Sequence, residues 1–267
     1  MTASEYTIAG GLTDAARLAR QAHVMAQATS AFFARVGVGP GWRCLDVGCG
    51  DGQVAIELAR RVGEDGRVVG LDVDAGAVQI AREAAGKAGV AVEFVVADAS
   101  DVIDRPQFDL VYSRLLLSHL VDPSAALRAM FAEARPGGWV AIEDLFTGTL
   151  RSEPSSPALD WLQQVYSATV RFHGGDPTIG PRLRALLTAT GLEAVDEHTV
   201  ANRIDSVEDK LFLAQLVHNM RGAMLKAGAA SESDLDDLEA AVAQAARSPD
   251  TVFSQAQIHQ VRGQRPA

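Results

Sequence analysis

Gly48-Cys49-Gly50-Asp51-Gly52 and Asp72 are the residues of this 267-residue chain best suited to hold a ligand. Glycines let the backbone turn, and approach a bound molecule, where a Cβ would clash. The apolar run Cys44-Leu45-Asp46-Val47 precedes the turn, and the helix-like stretch Val54-Ala55-Ile56-Glu57-Leu58-Ala59 follows it. A strand, a glycine turn and a helix N-terminus with free N–H groups make a nucleotide-binding corner. Asp72 lies twenty residues past Gly52 and closes a second apolar run, Val68-Val69-Gly70-Leu71. A carboxylate there can accept hydrogen bonds from ribose hydroxyls; it could also cap a helix starting near Ala75.

A second set of residues could move protons. His119 stands in Tyr112-Ser113-Arg114-Leu115-Leu116-Leu117-Ser118-His119-Leu120. An imidazole with an unperturbed pKa near ~6.5 suits proton removal at neutral pH. A histidine that only packs a helix is the other reading. Asp144 ends the apolar run Ile142-Glu143-Asp144-Leu145-Phe146 and could orient a substrate. Tyr166, Arg171 and His173 are pocket candidates by location alone.

These residues need a scaffold, and strand and helix patterns alternate from 42 to 145. Strands are expected at 42–47, 67–72, 91–96, 108–113 and 138–144, and helices near 52–62, 75–88 and 123–135. Gly89, Pro123 and Pro136-Gly137-Gly138 punctuate them. This alternation predicts an α/β fold: a doubly wound, seven-stranded, mostly parallel sheet with right-handed crossovers. Before it, residues 1–41 carry a helix from Asp14 to Arg35, with Leu18, Ala22, Met25, Ala26, Thr29 and Phe33 at helical spacing. It is suited to be a lid, a sheet-edge helix or a homodimer contact. After it, residues 146–267 give helices near 158–172, 181–190, 206–227 and 231–247. Strands are expected at 192–200 and 251–261. The added helices should cap the carboxyl edge of the sheet, where ligands bind in open α/β folds. Trp161, Tyr166, Phe172, Phe212, Leu213 and Leu216 make that cap apolar.

Composition narrows the partners. A net charge of −10 argues against nucleic acid, which normally meets a basic face. No apolar run approaches the ~18 residues of a membrane span. Met1-Thr2-Ala3-Ser4-Glu5-Tyr6 lacks the basic and apolar regions of a secretory signal, so a cytoplasmic location is expected. Cys44 and Cys49 are the two cysteines. Neither has metal-ligand spacing, and Cys49 should sit under the ligand.

Asp46-Val47-Gly48-Cys49-Gly50-Asp51-Gly52, as D-x-G-x-G-x-G after a strand, resembles motif I of the class I S-adenosylmethionine (SAM) methyltransferases. The resemblance continues through Asp72, Val96-Ala97-Asp98-Ala99, Phe108-Asp109-Leu110-Val111-Tyr112-Ser113 and Pro136-Gly137-Gly138, over about residues 42–145. It implies that Gly48, Cys49, Gly50 and Gly52 shape the cofactor loop and that Asp46 organises the turn. Asp72 and the adjoining Val73 would meet the ribose. Asp98 and Ala99 would lie by the adenine, although Asp98 could be a surface turn residue. Ser113 and Arg114 would pass under the methionine end, with Arg114 either paired to the cofactor carboxylate or structural. The implied activity is methyl transfer to a small-molecule acceptor of bacterial secondary metabolism, such as an aromatic, indole, polyketide or terpenoid.

Two rivals share the corner. A dinucleotide reductase needs G-x-G-x-x-G, and Gln53 stands in place of the third glycine. The Y-x-x-x-K pair of short-chain reductases is missing too, because Val170 follows Tyr166 at the lysine position. Nucleic-acid amino-methyltransferases carry [ND]-P-P-[YF] after the fourth strand, where this chain has Ser113-Arg114-Leu115-Leu116. Some proteins of the fold instead bind SAM and catalyse a non-methylating cyclisation; the binding motifs alone leave that open.

Overall fold

The computed structural model describes residues 15–101 and 107–267. Residues 1–14, and with them Asp14 and the start of the expected lid, lie outside the described residues. The chain runs α1 (Ala15–Val36), β1 (Arg43–Val47), α2 (Gln53–Val62), β2 (Arg67–Asp72), α3 (Ala75–Ala88), β3 (Glu93–Val96), β4 (Phe108–Arg114), α4 (Pro123–Glu133) and β5 (Ala134–Phe146). It continues with β6 (Arg151–Glu153), α5 (Pro157–Phe172), α6 (Leu183–Ala189), β7 (Glu193–Val200), β8 (Arg203–Ile204), α7 (Val207–Lys210), α8 (Phe212–Lys226), α9 (Glu232–Arg247), β9 (Val252–Ser254) and β10 (Gln257–Gln264).

Seven strands form one sheet in the order β3-β2-β1-β4-β5-β10-β7. Pairing is parallel from β3 to β5, while β10 runs antiparallel to both β5 and β7. Strand order reverses between β1 and β4, and such a switch point opens a crevice at the carboxyl ends of the strands. Side chains alternate between the sheet faces. Leu45, Val47, Val111, Val140 and Ile142 pack with α4 and α6 through Leu127, Met130, Leu183 and Leu187. Cys44, Leu110, Tyr112 and Ala141 pack on the other face with Phe32 and Phe33 of α1, Leu58 of α2 and Val78 of α3. Burial on both faces explains why the strands read as nearly continuous apolar runs.

A third apolar cluster stands over the carboxyl edge. It joins Leu159, Leu162 and Val165 of α5, Val217, Met220 and Met224 of α8, and Leu235, Leu238 and Val242 of α9. Strands β6, β9 and β8 form a small sheet beneath it, with Phe253 in the same cluster.

Two expectations change here. The strand predicted over 251–261 is two strands: β9 belongs to the small sheet and β10 to the large one. Between them Gln255 donates its N–H to the Asn202 carbonyl (2.8 Å) and accepts from the Asn202 side-chain amide (2.9 Å), which turns the chain from one sheet to the other. The helix predicted over 206–227 is α7 and α8, meeting at Leu211. Lys210, fully buried, directs Nζ to the carbonyls of Ser248 (2.9 Å) and Thr251 (2.6 Å), so this cation anchors the short helix against the end of α9. Among the described residues no helix is long and apolar enough to cross a membrane.

Candidate active site

The glycine turn is pinned to the end of β2. Gly48 and Cys49 donate their N–H groups to the Leu71 carbonyl at 2.8 and 2.9 Å, and Gly52 donates to Cys49 at 2.9 Å. Asp72 completes the brace: its carboxylate accepts from the Gly50 N–H at 2.9 Å and from the Asp74 N–H at 3.0 Å. Asp74, not Asp72, caps α3, accepting from the N–H groups of Gly76 and Ala77. Asp72 therefore keeps lone pairs for a ligand, since an ionised carboxylate offers about four acceptor sites.

The turn needs glycine at its rim. Gly52 has φ 81°, and a Cβ there would stand 2.9 Å from the Ala81 Cβ. Gly50 also has positive φ, at 51°, yet nothing lies within 4 Å of its Cβ position. That open cradle is what a closely approaching ligand requires.

A cavity of about 200 Å³ opens from this turn toward the cap. Asp46, Gly48, Cys49, Gly50, Asp72, Arg114, His119 and Tyr166 all line it, so the fold brings these sequence candidates together. Gly52, Val73, Ser113, Asp98, Ala99 and Asp144 do not line it. Gly52 shapes the turn from behind. Ser113 is fully buried in β4. Asp98 accepts from the N–H and hydroxyl of its neighbour Ser100, chiefly the hydroxyl, which holds it below the usual carboxylate range. Asp144 is fully buried and accepts from the N–H groups of Ser118 (3.0 Å) and Leu145 (2.8 Å). Burial raises it to about 6 against those bonds. Its geometry is that of a brace for the Leu117–His119 turn rather than a substrate contact.

The charges of the cavity lie at one end. Among the described residues, the charged lining groups are Asp46, Asp51, Asp72, Asp74 and Arg114. Asp46 is nearly fully buried, and its Oδ2 has no hydrogen-bond partner. Burial pushes it up to about 7, opposed by the Arg114 guanidinium and reinforced by Asp72. Burial also raises Asp51 and Asp72. Such carboxylates are poised to ionise against a cation. Cys49 is buried, and burial holds its thiol well above its ordinary range, so it is a wall rather than a nucleophile.

The other end is apolar and built by the cap. Leu162 and Tyr166 lie one turn apart on α5, as do Phe212 and Leu216 on α8, with Leu145 and Leu150 between the two helices and the sheet. At the junction of the two ends the Tyr166 hydroxyl stands 3.4 Å from His119 Nε2. Leu115, between Arg114 and this junction, has φ 55°, a conformation that side chains other than glycine rarely adopt and that clusters at functional segments.

Sequence reasoning missed Glu143. It is fully buried on the α1 face of β5, where its carboxylate accepts from Thr29 of α1 (2.7 Å), the Tyr112 hydroxyl and the Gln260 amide. Arg114 in turn donates to the Thr29 hydroxyl at 3.3 Å. Strand alternation was the available signal, because Glu143 shares its face with Ala141. The network fastens α1 across the sheet, and Gln21 and Ala22 of the same helix reach the cavity wall.

SAM fits this site. The acidic end would suit a sulfonium and an ammonium, the Gly50 cradle admits close approach, and Asp46 Oδ2 lacks a hydrogen-bond partner. Among the described residues no cluster of three or more His, Cys, Asp or Glu is placed to hold a metal.

The chain is similar to known proteins in sequence and in fold. Residues 44–138 match the family described as "Methyltransferase domain". The chain is similar to 2-phytyl-1,4-naphtoquinone methyltransferase of Thermosynechococcus vestitus, 40% identical over 127 residues, covering 47% of this chain and 53% of that one. The chain spans about half the length, or less, of the curated relatives it matches at 35% identity or more. In fold it is similar to Haemonchus contortus phosphoethanolamine N-methyltransferase 2, solved with phosphomonomethylethanolamine and S-adenosylhomocysteine (TM-score 0.56, 19% identity, 90% of this chain and 53% of that one). It is equally similar to the [4+2]-cyclase SpnF (TM-score 0.56, 20% identity, 90% and 80%). The match to a methyltransferase domain over residues 44–138 contains the braced glycine turn and, from Cys44 on, strands β1 to β4 of the parallel half of the sheet.

Proposed function

We propose that this protein methylates a small-molecule acceptor, of the aromatic, indole, polyketide or terpenoid kind, in bacterial secondary metabolism. One observation carries the reading: the His119–Tyr166 pair stands between an acidic, glycine-walled end and an apolar end of the same cavity.

When bound, SAM supplies an activated methyl group whose thioether leaves as a neutral species. The chain's part is to bind, align and exclude water. Asp72, next to Val73, would accept from the ribose hydroxyls while holding Gly50. Asp46 and Asp51 would hold the cationic groups of SAM, and Arg114 its carboxylate. The loop after β3, whose Asp98 and Ala99 stand outside the cavity wall, would have to lie by an adenine that extends past that wall. Tyr166 positions an acceptor hydroxyl, and His119 takes its proton; a free amine would need no such base. Leucines of α5 and α8 keep water from the junction. The helix α1, latched through Thr29 to Glu143, closes the cofactor end as a lid.

The test is mass spectrometry of the protein incubated with methyl-labelled SAM and a small-molecule extract of its source organism. A labelled small molecule supports the reading. SAM binding with only an unlabelled, rearranged product favours the cyclisation reading instead.

A further inference from the structure

Resting on that reading, we infer that the acceptor is an uncharged molecule, and that phosphorylated, carboxylated and ammonium-bearing compounds are excluded from the site. The basis is how the cavity divides its charge. Asp46, Asp72 and Arg114 stand at the carboxyl ends of β1, β2 and β4, and Asp51 and Asp74 in the loops that follow β1 and β2. The cap contributes none: its lining is leucine, phenylalanine and alanine, with Thr147, Gln163, Gln255 and Tyr166 as the polar groups.

The nearby carboxylates behind this end are already engaged. Asp144 holds Ser118 and Leu145 and does not reach the cavity. Glu143 is enclosed by Thr29, Tyr112 and Gln260. Among the described residues, the cap wall beyond His119 offers no opposite charge to an ion that enters the apolar end and loses its water, which is costly. The amides and hydroxyls can satisfy neutral polar groups instead. Selectivity thus arises from what the cap withholds.

Equilibrium binding to the protein saturated with S-adenosylhomocysteine tests this. The probes are 2-naphthol, naphthalene-2-sulfonate and 2-naphthylmethylammonium, which share one ring system and differ in charge. The expected result is tighter binding of 2-naphthol than of either ion by about tenfold or more. Leu216→Lys, half-buried on the α8 wall, should remove most of the discrimination against the sulfonate while leaving S-adenosylhomocysteine affinity unchanged. Either ion binding as well as 2-naphthol, or no binding of 2-naphthol, overturns the inference. Turnover of a charged acceptor would overturn it and leave methyl transfer standing. Charge discrimination without methyl transfer would sink the proposed reaction and leave this inference intact.

Discussion

The Asp72 carboxylate and the Gly50 N–H meet at 2.9 Å, tying the end of β2 to the crest of the glycine turn. One side chain thus fixes the glycine turn and, in the proposed function, also presents acceptors to the ribose. Gly48 and Cys49 are held independently by the Leu71 carbonyl, so the base of the turn does not rest on Asp72.

Asp72→Ala should weaken S-adenosylhomocysteine binding by about 100-fold, through loss of both the ribose acceptor and the Gly50 brace. The melting temperature should shift by only a few degrees, roughly what one or two lost hydrogen bonds give in a domain of this size. Titration calorimetry beside a thermal melt reads both. Unchanged affinity would remove Asp72 from the cofactor site.

Asp46 predicts a pH signature. Burial raises its carboxyl from 3.8 to about 7, so the folded protein holds a proton that the unfolded chain releases between those values. Stability of the ligand-free protein should fall as pH rises through that window and level off above 7, by a few kcal/mol at most. Asp46→Asn should abolish this part of the dependence, raise the melting temperature near neutral pH and weaken SAM. Because a cationic ligand favours the ionised carboxyl, SAM binding at pH 6.5 should release protons. Calorimetry in buffers of different ionisation enthalpy detects that release; identical heats in all buffers would contradict it.

Glu143 predicts a coupling between α1 and the sheet. Glu143→Ala leaves the Thr29, Tyr112 and Gln260 donors without their acceptor, at a cost of about 3 kcal/mol or more. The melting temperature should drop by roughly 5–10 °C, and hydrogen exchange should accelerate in residues 20–36. Glu143→Gln, which keeps one acceptor oxygen, should lie between. Uniform exchange changes across the whole chain would mean that Glu143 supports the core and not the helix.

Much of this was legible in the sequence because the core strands are short apolar runs bounded by glycine, proline and aspartate. β2 and α3 lie where their patterns predict, 67–72 and 75–88. The glycine corner was equally legible, since only a backbone free of Cβ can make that turn. Long-range pairing was not. Nothing local says that Val252–Ser254 leaves the sheet that Gln257–Gln264 joins, because the choice rests on Gln255 meeting Asn202. Nor does local pattern reveal that Asp144 braces a turn or that Glu143 waits under α1. Those roles depend on Ser118 and Thr29, which are 26 and 114 residues away.

The His119–Tyr166 contact predicts a split between turnover and binding. His119→Gln should lower kcat by about 10²–10⁴-fold while SAM affinity stays within about threefold. Tyr166→Phe should lower it less, because the imidazole remains in place. If both variants retain full kcat with a hydroxyl acceptor, the pair is packing rather than proton transfer.

Methyl-deuterated SAM separates methyl transfer from cyclisation when S-adenosylhomocysteine and the acceptor product are quantified in one reaction. Methyl transfer gives equal amounts of S-adenosylhomocysteine and of a product about three mass units heavier than its ordinary methylated form, its CH3 replaced by CD3. Acceptor consumed while SAM remains whole would contradict it.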